Sequence, residues 1–378
     1  MSPAAKGQRR RSPKSQGSWA DRAFNLRGEI EDPADGAVYR ITRFLGRGGM
    51  GEVYEVTRSG PGPAGQTGAR FALKCLQLQH VSNAKTIERT RREALTLRDL
   101  RHPNVVHVHA VGVREDGLIW MVMDLLVGHT LAEIQKRFGR LPLPWALAMG
   151  AAVADGLGAV HAYAVHRDVK PENIHLGDDG VVRVLDLGAG KFHRRGLLTT
   201  GGGVLGTVPY MSPEQLSTAT AIDGRSDLFS LGLLLAELIS GKHPFAPDGL
   251  ARENVYTLVN KIVAGAPLAL QRLAPWVPEH IAAVVDRALR RERTERQASA
   301  AELAEALRAA LSRLEREVGR GEPLATLVAE LNRREDTPAP ATDPLAATAV
   351  TEVPVGSRSE ALESIDQDAD TLVKDASH

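Results

Sequence analysis

Hydrophobic and polar residues alternate over short stretches in the first third of the chain and follow a helical period over most of the rest. Five short runs rich in β-branched and aromatic residues predict strands, which are residues 39–45, 52–57, 70–78, 105–113 and 118–123. Between the third and fourth runs, residues 83–100 carry leucine and isoleucine at helical spacing among arginine and glutamate. The pattern therefore predicts a small five-stranded sheet with one long helix.

A helical period dominates the chain from Thr130 onwards. Six segments have this period and predict helices, which are residues 130–138, 143–163, 226–240, 251–264, 278–290 and 299–314. Short strands are predicted only at 173–176 and 181–185. The fold class is therefore predicted as α+β, with a small β-rich lobe (38–123), a connection (124–126) and a larger helical lobe (127–314).

Charge is distributed unevenly along the 378 residues, although the formal net charge is only +1. Residues 1–27 contain seven bases and one acid, a net charge of +6, whereas residues 335–378 contain ten acids and two bases, a net charge of −8. Both ends are poor in aromatic residues. We therefore predict a disordered basic arm over 1–37 and a disordered acidic tail over 335–378, with a short helical extension before the tail at 315–334.

Composition excludes several classes of protein. With 43% hydrophobic and 25% charged residues, the chain is typical of a folded soluble protein. Its near-neutral charge does not indicate nucleic acid or an anionic membrane as a partner. The single cysteine, Cys75, cannot form an internal disulfide, and the most apolar stretch, 228–239, is too short to span a bilayer. These features predict a cytoplasmic protein with no membrane or nucleic acid partner.

The glycine-rich segment from Gly46 to Gly51 is the first candidate for chemistry. In dinucleotide-binding units the glycines of this GxGxxG pattern open a helix, and an acidic residue lies about 20 positions further on. Here residues 52–56 predict a strand, and Lys74 stands where the acid would be. The flanks therefore predict a hairpin, in which missing side chains let backbone N–H groups approach phosphates. A glycine-rich turn without a ligand is the alternative at this point.

Further motifs follow in a fixed order. Lys74 lies 23 residues after Gly51, and Glu93 lies 19 residues after Lys74. The others are His-Arg-Asp-Val-Lys-Pro-Glu-Asn at 166–173, Asp-Leu-Gly at 186–188 and Gly-Thr-Val-Pro-Tyr-Met-Ser-Pro-Glu at 206–214. The set resembles the signature of protein kinases over about residues 39–314, and it is most similar to bacterial serine/threonine kinases of the eukaryotic type. The resemblance implies the bilobal protein kinase fold.

The same resemblance implies ATP and Mg²⁺ as cofactors, with Mn²⁺ as an alternative ion. Gly46, Gly48 and Gly51 would cover the phosphates. The predicted nucleotide-binding segment also includes Leu45, Arg47, Gly49 and Met50. Lys74 would hold the α- and β-phosphates and be oriented by Glu93. Asn173 and Asp186 would bind Mg²⁺, which prefers hard oxygen ligands.

The resemblance also implies an adenine pocket. Val53 and Ala72 would cover the base on one side, and Met123 would be the gatekeeper. The backbone of Asp124 to Leu126 would bind the polar edge of the base.

Two residues depart from the family pattern. Leu187 replaces the usual phenylalanine of Asp-Phe-Gly, which keeps an apolar contact. His175 occupies the position beneath the adenine where the family has an apolar residue. Either it is a neutral imidazole that fills the gap, or it titrates near pH 6–7 and changes nucleotide affinity. The sequence leaves both interpretations open.

The catalytic roles follow from the resemblance in the same way. Asp168 would accept the proton of the substrate hydroxyl, and Lys170 would neutralise the transferring γ-phosphoryl group. Thr207 would support both from the substrate-binding loop. Lys170 and Thr207 resemble the serine/threonine class rather than the tyrosine class.

Three more residues resemble structural positions of the family. Asp227 would anchor the backbone of the catalytic loop. Glu214 and Arg296 would form a buried ion pair in the larger lobe.

Regulation is suggested by Arg167, which precedes Asp168. Kinases with this arginine often need a phosphate on the activation segment to neutralise it. Thr199 and Thr200 lie eight and seven residues before Thr207. We predict their autophosphorylation in trans, which requires a transient homodimer. The alternative is a mobile loop whose threonines are incidental.

The predicted function is therefore that of an active serine/threonine kinase, which transfers the γ-phosphoryl group of Mg·ATP to hydroxyls of protein substrates. The alternative is a pseudokinase that works as a nucleotide-binding scaffold. A pseudokinase commonly lacks at least one of the residues that this chain retains, which are Lys74, Glu93, Asp168, Asn173 and Asp186. The sequence favours the enzyme.

Overall fold

The computed structural model describes residues 28–48, 51–59, 68–76, 95, 98–114, 118–186, 208–217, 222–265, 267–318 and 323–335. Residues up to Leu331 form one unit, and residues from Asn332 onwards form a second, of which only the end of the last helix is described. The predicted acidic tail beyond its first residue, Glu335, and most of the predicted basic arm lie outside the described residues. So does nearly all of the predicted helix 83–100, in which residues 95 and 98 are helical.

The small lobe contains a six-stranded antiparallel sheet with the strand order β1-β2-β3-β4-β6-β5. Its strands are β1 (Glu29–Glu31), β2 (Val38–Gly48), β3 (Gly51–Ser59), β4 (Arg70–Leu76), β5 (Val108–Val113) and β6 (Ile119–Asp124). The five predicted strands are confirmed. The strand count was wrong by one, because β1 lies in the stretch that was assigned to the basic arm. With Ile30 as its only buried residue, β1 is too short to show an alternating pattern.

Different side chains cover the two faces of this sheet, because successive residues of a strand point to opposite faces. One face carries an apolar cluster that includes Tyr39, Tyr54, Val56, Leu73, Cys75 and Trp120. The other carries Val108, Val111, Ile119 and Met121, against which Leu95 packs. Leu95 lies within the predicted long helix, and of that segment it is the described residue that packs against this second face.

The larger lobe is mainly helical. Its helices are α1 (Leu131–Phe138), α2 (Leu143–His161), α3 (Pro213–Leu216), α4 (Arg225–Ser240), α5 (Val255–Ala264), α6 (Leu270–Leu273), α7 (Glu279–Ala288), α8 (Ala300–Val318) and α9 (Pro323–Glu335). All six predicted helices are present, and α8 continues beyond the predicted boundary at 314. The single-turn helices α3 and α6 were not predicted, because four residues do not span enough of a helical period.

A small second sheet lies in the larger lobe, with the order β7-β8-β9. Its strands are β7 (Gly128–Thr130), β8 (Ile174–Gly177) and β9 (Val182–Val184). The predicted strands correspond to β8 and β9, whereas β7 was missed. The hairpin of β8 and β9 connects the motif at 166–173 to Asp186, and the N–H of Leu185 donates to the carbonyl oxygen of Asn173 (2.8 Å), which holds Asp186 close to that motif.

Helix α2 has 19 residues and is, by length and composition alone, the one helix in the described part of the chain that could cross a membrane. This qualifies the expectation that no stretch is long and apolar enough. In the fold, Leu147, Ala154 and Leu157 of α2 are fully buried, and the helix packs against α4 and α8. A Cβ atom on Gly156 would collide with the carbonyl oxygen of Asn104, so glycine allows this close approach.

Candidate active site

The glycine-rich segment joins β2 to β3 as a hairpin. Gly46 pairs with Val53, and Gly48 pairs with Gly51. Gly51 has a φ of 138°, which residues with a Cβ atom rarely adopt. The predicted hairpin is confirmed. A strand rather than a helix follows the glycines, as the flanking residues predicted.

Register across the sheet brings the predicted nucleotide residues to one face. Val53 pairs with Lys74, and Ala72 pairs with Met123. Since Ala72 and Lys74 are two residues apart on β4, all four side chains share a face. Leu45, beside the hairpin on β2, is 38% exposed.

The connection between the lobes begins where β6 ends, at Asp124. The backbone N–H of Asp124 donates to the carbonyl oxygen of His107 (3.1 Å), and its carboxylate lies 2.7 Å from Nε2 of His109. His107 directly precedes β5 and His109 lies near its start. Asp124, the first residue of the connection, is therefore hydrogen-bonded to the sheet. Leu126 is half-buried before β7.

Lys74 and Asp186 form an ion pair, although 112 residues separate them in the sequence. Lys74 lies on β4 of the small lobe, and Asp186 follows β9 of the larger lobe. The side chain of Lys74 is 8% exposed and that of Asp186 is 23% exposed. Asp186 has a φ of 56°, an uncommon conformation for a residue with a Cβ atom that is enriched at functional sites. The pair joins the glycine-hairpin sheet to the second motif of the larger lobe.

Asp168, Lys170 and Asn173 come together in the segment between α2 and β8. The amide nitrogen of Asn173 donates to both the carbonyl oxygen and Oδ2 of Asp168, each at 2.8 Å. Nζ of Lys170 lies 3.4 Å from Oδ2 of Asp168. The side chain of Asp168 is 1% exposed. A buried carboxylate is thus held in one orientation between an amide and an ammonium group.

Asp227 holds the backbone that leads into Asp168. It lies in the first turn of α4 and is fully buried. Its Oδ2 accepts from the backbone N–H of His166 (2.8 Å), and its Oδ1 accepts from the backbone N–H of Arg167 (2.7 Å). Arg167 has a φ of 63°, so these bonds stabilise a backbone conformation that is otherwise unfavourable. The anchoring role of Asp227 is confirmed.

The donor groups at this site suit Mg²⁺. Since the amide nitrogen of Asn173 is directed at Asp168, its amide oxygen points the other way, and Asp186 adds a carboxylate. No cluster of three or more histidine, cysteine or acidic residues that could hold a metal occurs in the described ranges. Mg²⁺ needs no such cluster, because it keeps waters and phosphate oxygens and takes only one or two protein carboxylate or amide ligands. The hard oxygen donors also suit Mn²⁺.

Several predicted site residues fall outside the part of the chain that the structure describes. These residues are Gly49, Met50, Glu93 and Thr207, together with Leu187, Thr199 and Thr200.

Comparison with known proteins identifies the family. Residues 39–307 match the family model described as the protein kinase domain. The chain belongs to the protein kinase family. Its α+β fold is therefore the bilobal protein kinase fold, as the sequence predicted.

Relatives of this kinase include serine/threonine-protein kinases of mycobacteria. It is 39% identical over 216 residues to PknA of Mycobacterium tuberculosis, an alignment that covers 56% of this chain and 48% of PknA. It is 34% identical over 275 residues to PknH of Mycobacterium bovis, which covers 72% of this chain and 44% of PknH. The chain spans about half the length of the curated relatives it matches.

Solved structures agree with this assignment. The crystal structure of the kinase domain of M. tuberculosis PknI superposes with a TM-score of 0.56 at 27% sequence identity. The match covers 76% of this chain and 99% of the PknI domain.

A buried ion pair fastens the segment after Thr207 to the last third of the kinase domain. Arg296 donates to both carboxylate oxygens of Glu214, at 2.6 and 3.0 Å. Burial by itself raises the pKa of Glu214, but the hydrogen bonds and charge of Arg296, together with the bond from Ser226, lower it below its ordinary value. Ser226 donates to the same carboxylate at 2.7 Å. The predicted pair is confirmed.

His175 lies on β8 between Ile174 and Leu176, both of which enter the core of the larger lobe. Its imidazole therefore lies on the opposite face of the strand. The residue is 7% exposed, and its Nδ1 has no hydrogen-bond partner among the described groups. Burial, with a smaller contribution from Arg183, lowers its pKa. The structure thus favours the neutral imidazole over a group that titrates near pH 6–7.

The sequence analysis missed His243, which lies beside the segment that follows Thr207. The residue is 2% exposed; its Nε2 lies 3.0 Å from the carbonyl oxygen of Pro209, and the N–H of Phe245 donates to its Nδ1 at 3.3 Å. These contacts require a neutral ring with its proton on Nε2. Burial lowers the pKa of His243 to about 4. No sequence motif signals this role, because Pro209 is 34 residues away.

We expect the stability of this kinase to fall by about 2 kcal/mol between pH 7 and pH 5 because of His243 alone. The folded pKa of His243, about 4, lies below its ordinary value of 6.5, so the unfolded chain binds the proton more readily. The stabilisation is therefore complete above pH 6.5 and is lost as the pH falls towards 4. Urea unfolding at pH 7, 6 and 5 should show that the free energy of unfolding falls less for His243→Gln than for the wild type as the pH is lowered. Equal losses would contradict this assignment.

Proposed function

We propose that this kinase transfers the γ-phosphoryl group of Mg·ATP to serine and threonine hydroxyls of proteins. The observation that carries the proposal is the convergence of three separate parts of the sequence: Asn173 bonds to Asp168, Lys74 pairs with Asp186, and the N–H of Leu185, next to Asp186, donates to the carbonyl oxygen of Asn173 (2.8 Å). The names of its relatives, which are serine/threonine-protein kinases, support the same class of substrate.

Each side chain has a role that its surroundings suit. Asp168 accepts the proton of the attacking hydroxyl, and its contacts with Asn173 and Lys170 hold the carboxylate in one orientation. Lys170 stabilises the negative charge that develops on the transferring group. Lys74 would bind phosphate oxygens, and Asn173 and Asp186 would supply oxygen ligands to the ion. Mg·ATP supplies the activated phosphoryl group, so the protein contributes positioning and electrostatic stabilisation.

A phosphotransfer assay tests this proposal. The purified full chain is incubated with γ-labelled ATP, Mg²⁺ and casein as a general acceptor, and labelled residues are identified by phosphoamino acid analysis. We expect label on serine and threonine but not on tyrosine, and activity with Mn²⁺ as well. Tight ATP binding without any transfer would instead favour the pseudokinase scaffold, for which we find no specific support.

We further propose activation by autophosphorylation of Thr199 or Thr200. The proposal rests on Arg167, which directly precedes the catalytic Asp168 and whose positive charge a phosphate would neutralise. Intact-mass measurement and site mapping after incubation with Mg·ATP should find phosphate on one of these threonines. When wild type is mixed with the Asp168→Asn protein, phosphate on the inactive molecule should show transfer in trans within a transient dimer. Phosphate at neither threonine would exclude this mode of activation.

A further inference from the structure

Glu52 is a buried carboxylate at the base of the glycine hairpin. It follows Gly51 directly as the second residue of β3, and it is 1% exposed. Carboxylates are rarely so buried unless they are paired. Glu52 pairs with Cys75 across the sheet and lies two residues from Tyr54, and both of these residues enter the apolar cluster. Its side chain therefore lies on the face opposite Val53 and Lys74.

The partners of Glu52 come from both arms of the hairpin. Arg47 on β2 donates from Nε to Oε1 at 2.9 Å, and its Nη2 contacts the same oxygen. The hydroxyl of Tyr54 on β3 donates to Oε2 at 2.5 Å. Arg47 lies between Gly46 and Gly48, so its ion pair with Glu52 connects the glycine-bearing arm of β2 to β3, and the hydrogen bond from Tyr54 orients the Glu52 carboxylate from within β3. We refer to Arg47, Glu52 and Tyr54 as the hairpin clamp.

Electrostatic effects of this carboxylate reach the neighbouring residues. Burial raises the pKa of the Cys75 thiol to about 12, and the negative charge of Glu52 adds to the shift. Burial and the hydrogen bond to Glu52 also raise the pKa of Tyr54. Both groups are therefore neutral at physiological pH. The charge on Glu52 is balanced mainly by Arg47, whose side chain is 48% exposed.

We propose that Glu52 is a positioning residue for phosphate binding, which holds the glycine hairpin in the form that receives the phosphates. This inference rests on the proposed function. Glycines give the hairpin many accessible conformations, and ordering them has an entropic cost. If the β2 arm separated from β3, Arg47 would leave Glu52, and the buried carboxylate would lose its cation. Such conformations are therefore unfavourable. The clamp thus reduces the ordering that phosphate binding would otherwise require.

The clamp also defines the contribution of Arg47. Because its guanidinium is bound to Glu52 on the face away from Lys74, the side chain does not point towards the phosphate site. Arg47 therefore acts on the phosphates through its backbone and through the clamp, not as a phosphate-binding cation.

Comparing the affinity for ATP with that for adenosine distinguishes an effect on phosphate binding from a general disturbance of the nucleotide site, since adenosine lacks phosphates. Dissociation constants are measured by calorimetry on the full chain for Mg·ATP and for adenosine. For Glu52→Gln we expect Mg·ATP affinity to fall about tenfold, which corresponds to about 1.4 kcal/mol, with adenosine affinity unchanged. Tyr54→Phe, which removes one hydrogen bond and no charge, should show the same selectivity with a smaller loss.

Glu55 provides a matched control on the same strand. Its carboxylate binds Arg43 and Arg70, whose side chains are 63% and 59% exposed, and these partners lie outside the clamp. Glu55→Gln should leave both affinities unchanged. In addition, the double change Arg47→Ala with Glu52→Gln should reduce the free energy of Mg·ATP binding by less than the sum of the two single changes. The reason is that both single changes remove the same interaction.

Hydrogen exchange gives a second readout that does not depend on nucleotide. Amides at residues 46–48 and 51–53 should exchange faster in Glu52→Gln than in the wild type, while those of β5 and β6 keep their rates. If Glu52→Gln lost ATP and adenosine affinity equally, or left amide exchange in the hairpin unchanged, the proposed role of the clamp would be wrong. A wild type that binds Mg·ATP but transfers no phosphoryl group would overturn the proposed function and leave the clamp measurements valid.

Discussion

Asp168→Asn is expected to lower the rate of phosphoryl transfer by about 10²–10⁴-fold, the usual contribution of a general base. The variant loses the group that accepts the hydroxyl proton. Its carboxamide oxygen can still accept the bond that Asn173 donates to Oδ2, so the loop should keep its conformation. Initial rates of casein phosphorylation at saturating Mg·ATP measure the effect.

Binding measurements show whether Asp168→Asn slows the transfer step itself or weakens the binding of Mg·ATP. Mg·ATP affinity of Asp168→Asn should stay within about threefold of the wild type, because Asp168 belongs to the larger lobe whereas the glycine hairpin and Lys74 belong to the small lobe. Asp179→Asn is the matched control: it neutralises an exposed carboxylate that pairs with Arg183 in the turn between β8 and β9. A rate for Asp168→Asn equal to that of Asp179→Asn would refute the assignment of the base.

Arg296→Ala is expected to lower the free energy of unfolding by about 3–5 kcal/mol, the usual cost of removing one partner of a buried ion pair. Arg296 is fully buried, donates to both oxygens of Glu214 and lies 4.8 Å from the ring centroid of Phe229. It also donates to the carbonyl oxygens of residues 225, 290 and 291. Its removal leaves the buried Glu214 carboxylate without its cation and takes a hydrogen-bond donor from each of these carbonyls. Urea unfolding at pH 7 measures the change.

Arg40→Ala is the control for this measurement. Arg40 pairs with Glu29 at 2.9 Å, but both side chains are about half exposed, so its loss should cost at most about 1 kcal/mol. The double change of Arg296 to methionine and Glu214 to leucine should recover part of the stability, because no buried charge is left alone. Similar losses for Arg296→Ala and Arg40→Ala would show that the buried pair contributes little.

The sequence predicted the parts of this fold in which periodicity is long and regular. The core helix α4 was predicted almost to its ends because residues 228–239 form an apolar stretch interrupted only by Ser230 and Glu237, and its end at Ser240 is followed by Gly241 in the left-handed conformation. β1 and β7, with three residues each, were missed because their hydrogen bonds to neighbouring strands stabilise them, and no local pattern reports those bonds. The boundary of the basic arm was misplaced for the same reason.

The sequence likewise identified some residues of the candidate site and not others. Asp168, Lys170 and Asn173 could be identified because they lie within the eight residues of a single motif. His243 and Glu52 could not be identified. The role of His243 depends on a carbonyl 34 residues away, and that of Glu52 depends on the burial of its side chain against the apolar cluster. For His175 the sequence left two interpretations, and burial decided in favour of the neutral ring.

The sequence by itself determined the family and the order of the motifs, and it gave the proposed catalytic groups, because these depend on residue type and on spacing along the chain. Only the tertiary structure decided which charges meet: Lys74 with Asp186, Arg296 with Glu214, and Arg47 with Glu52. The physical reason is that the energy of an ion pair depends on distance and burial. Both are set by how the strands and helices pack, and a residue's place in the sequence does not report them.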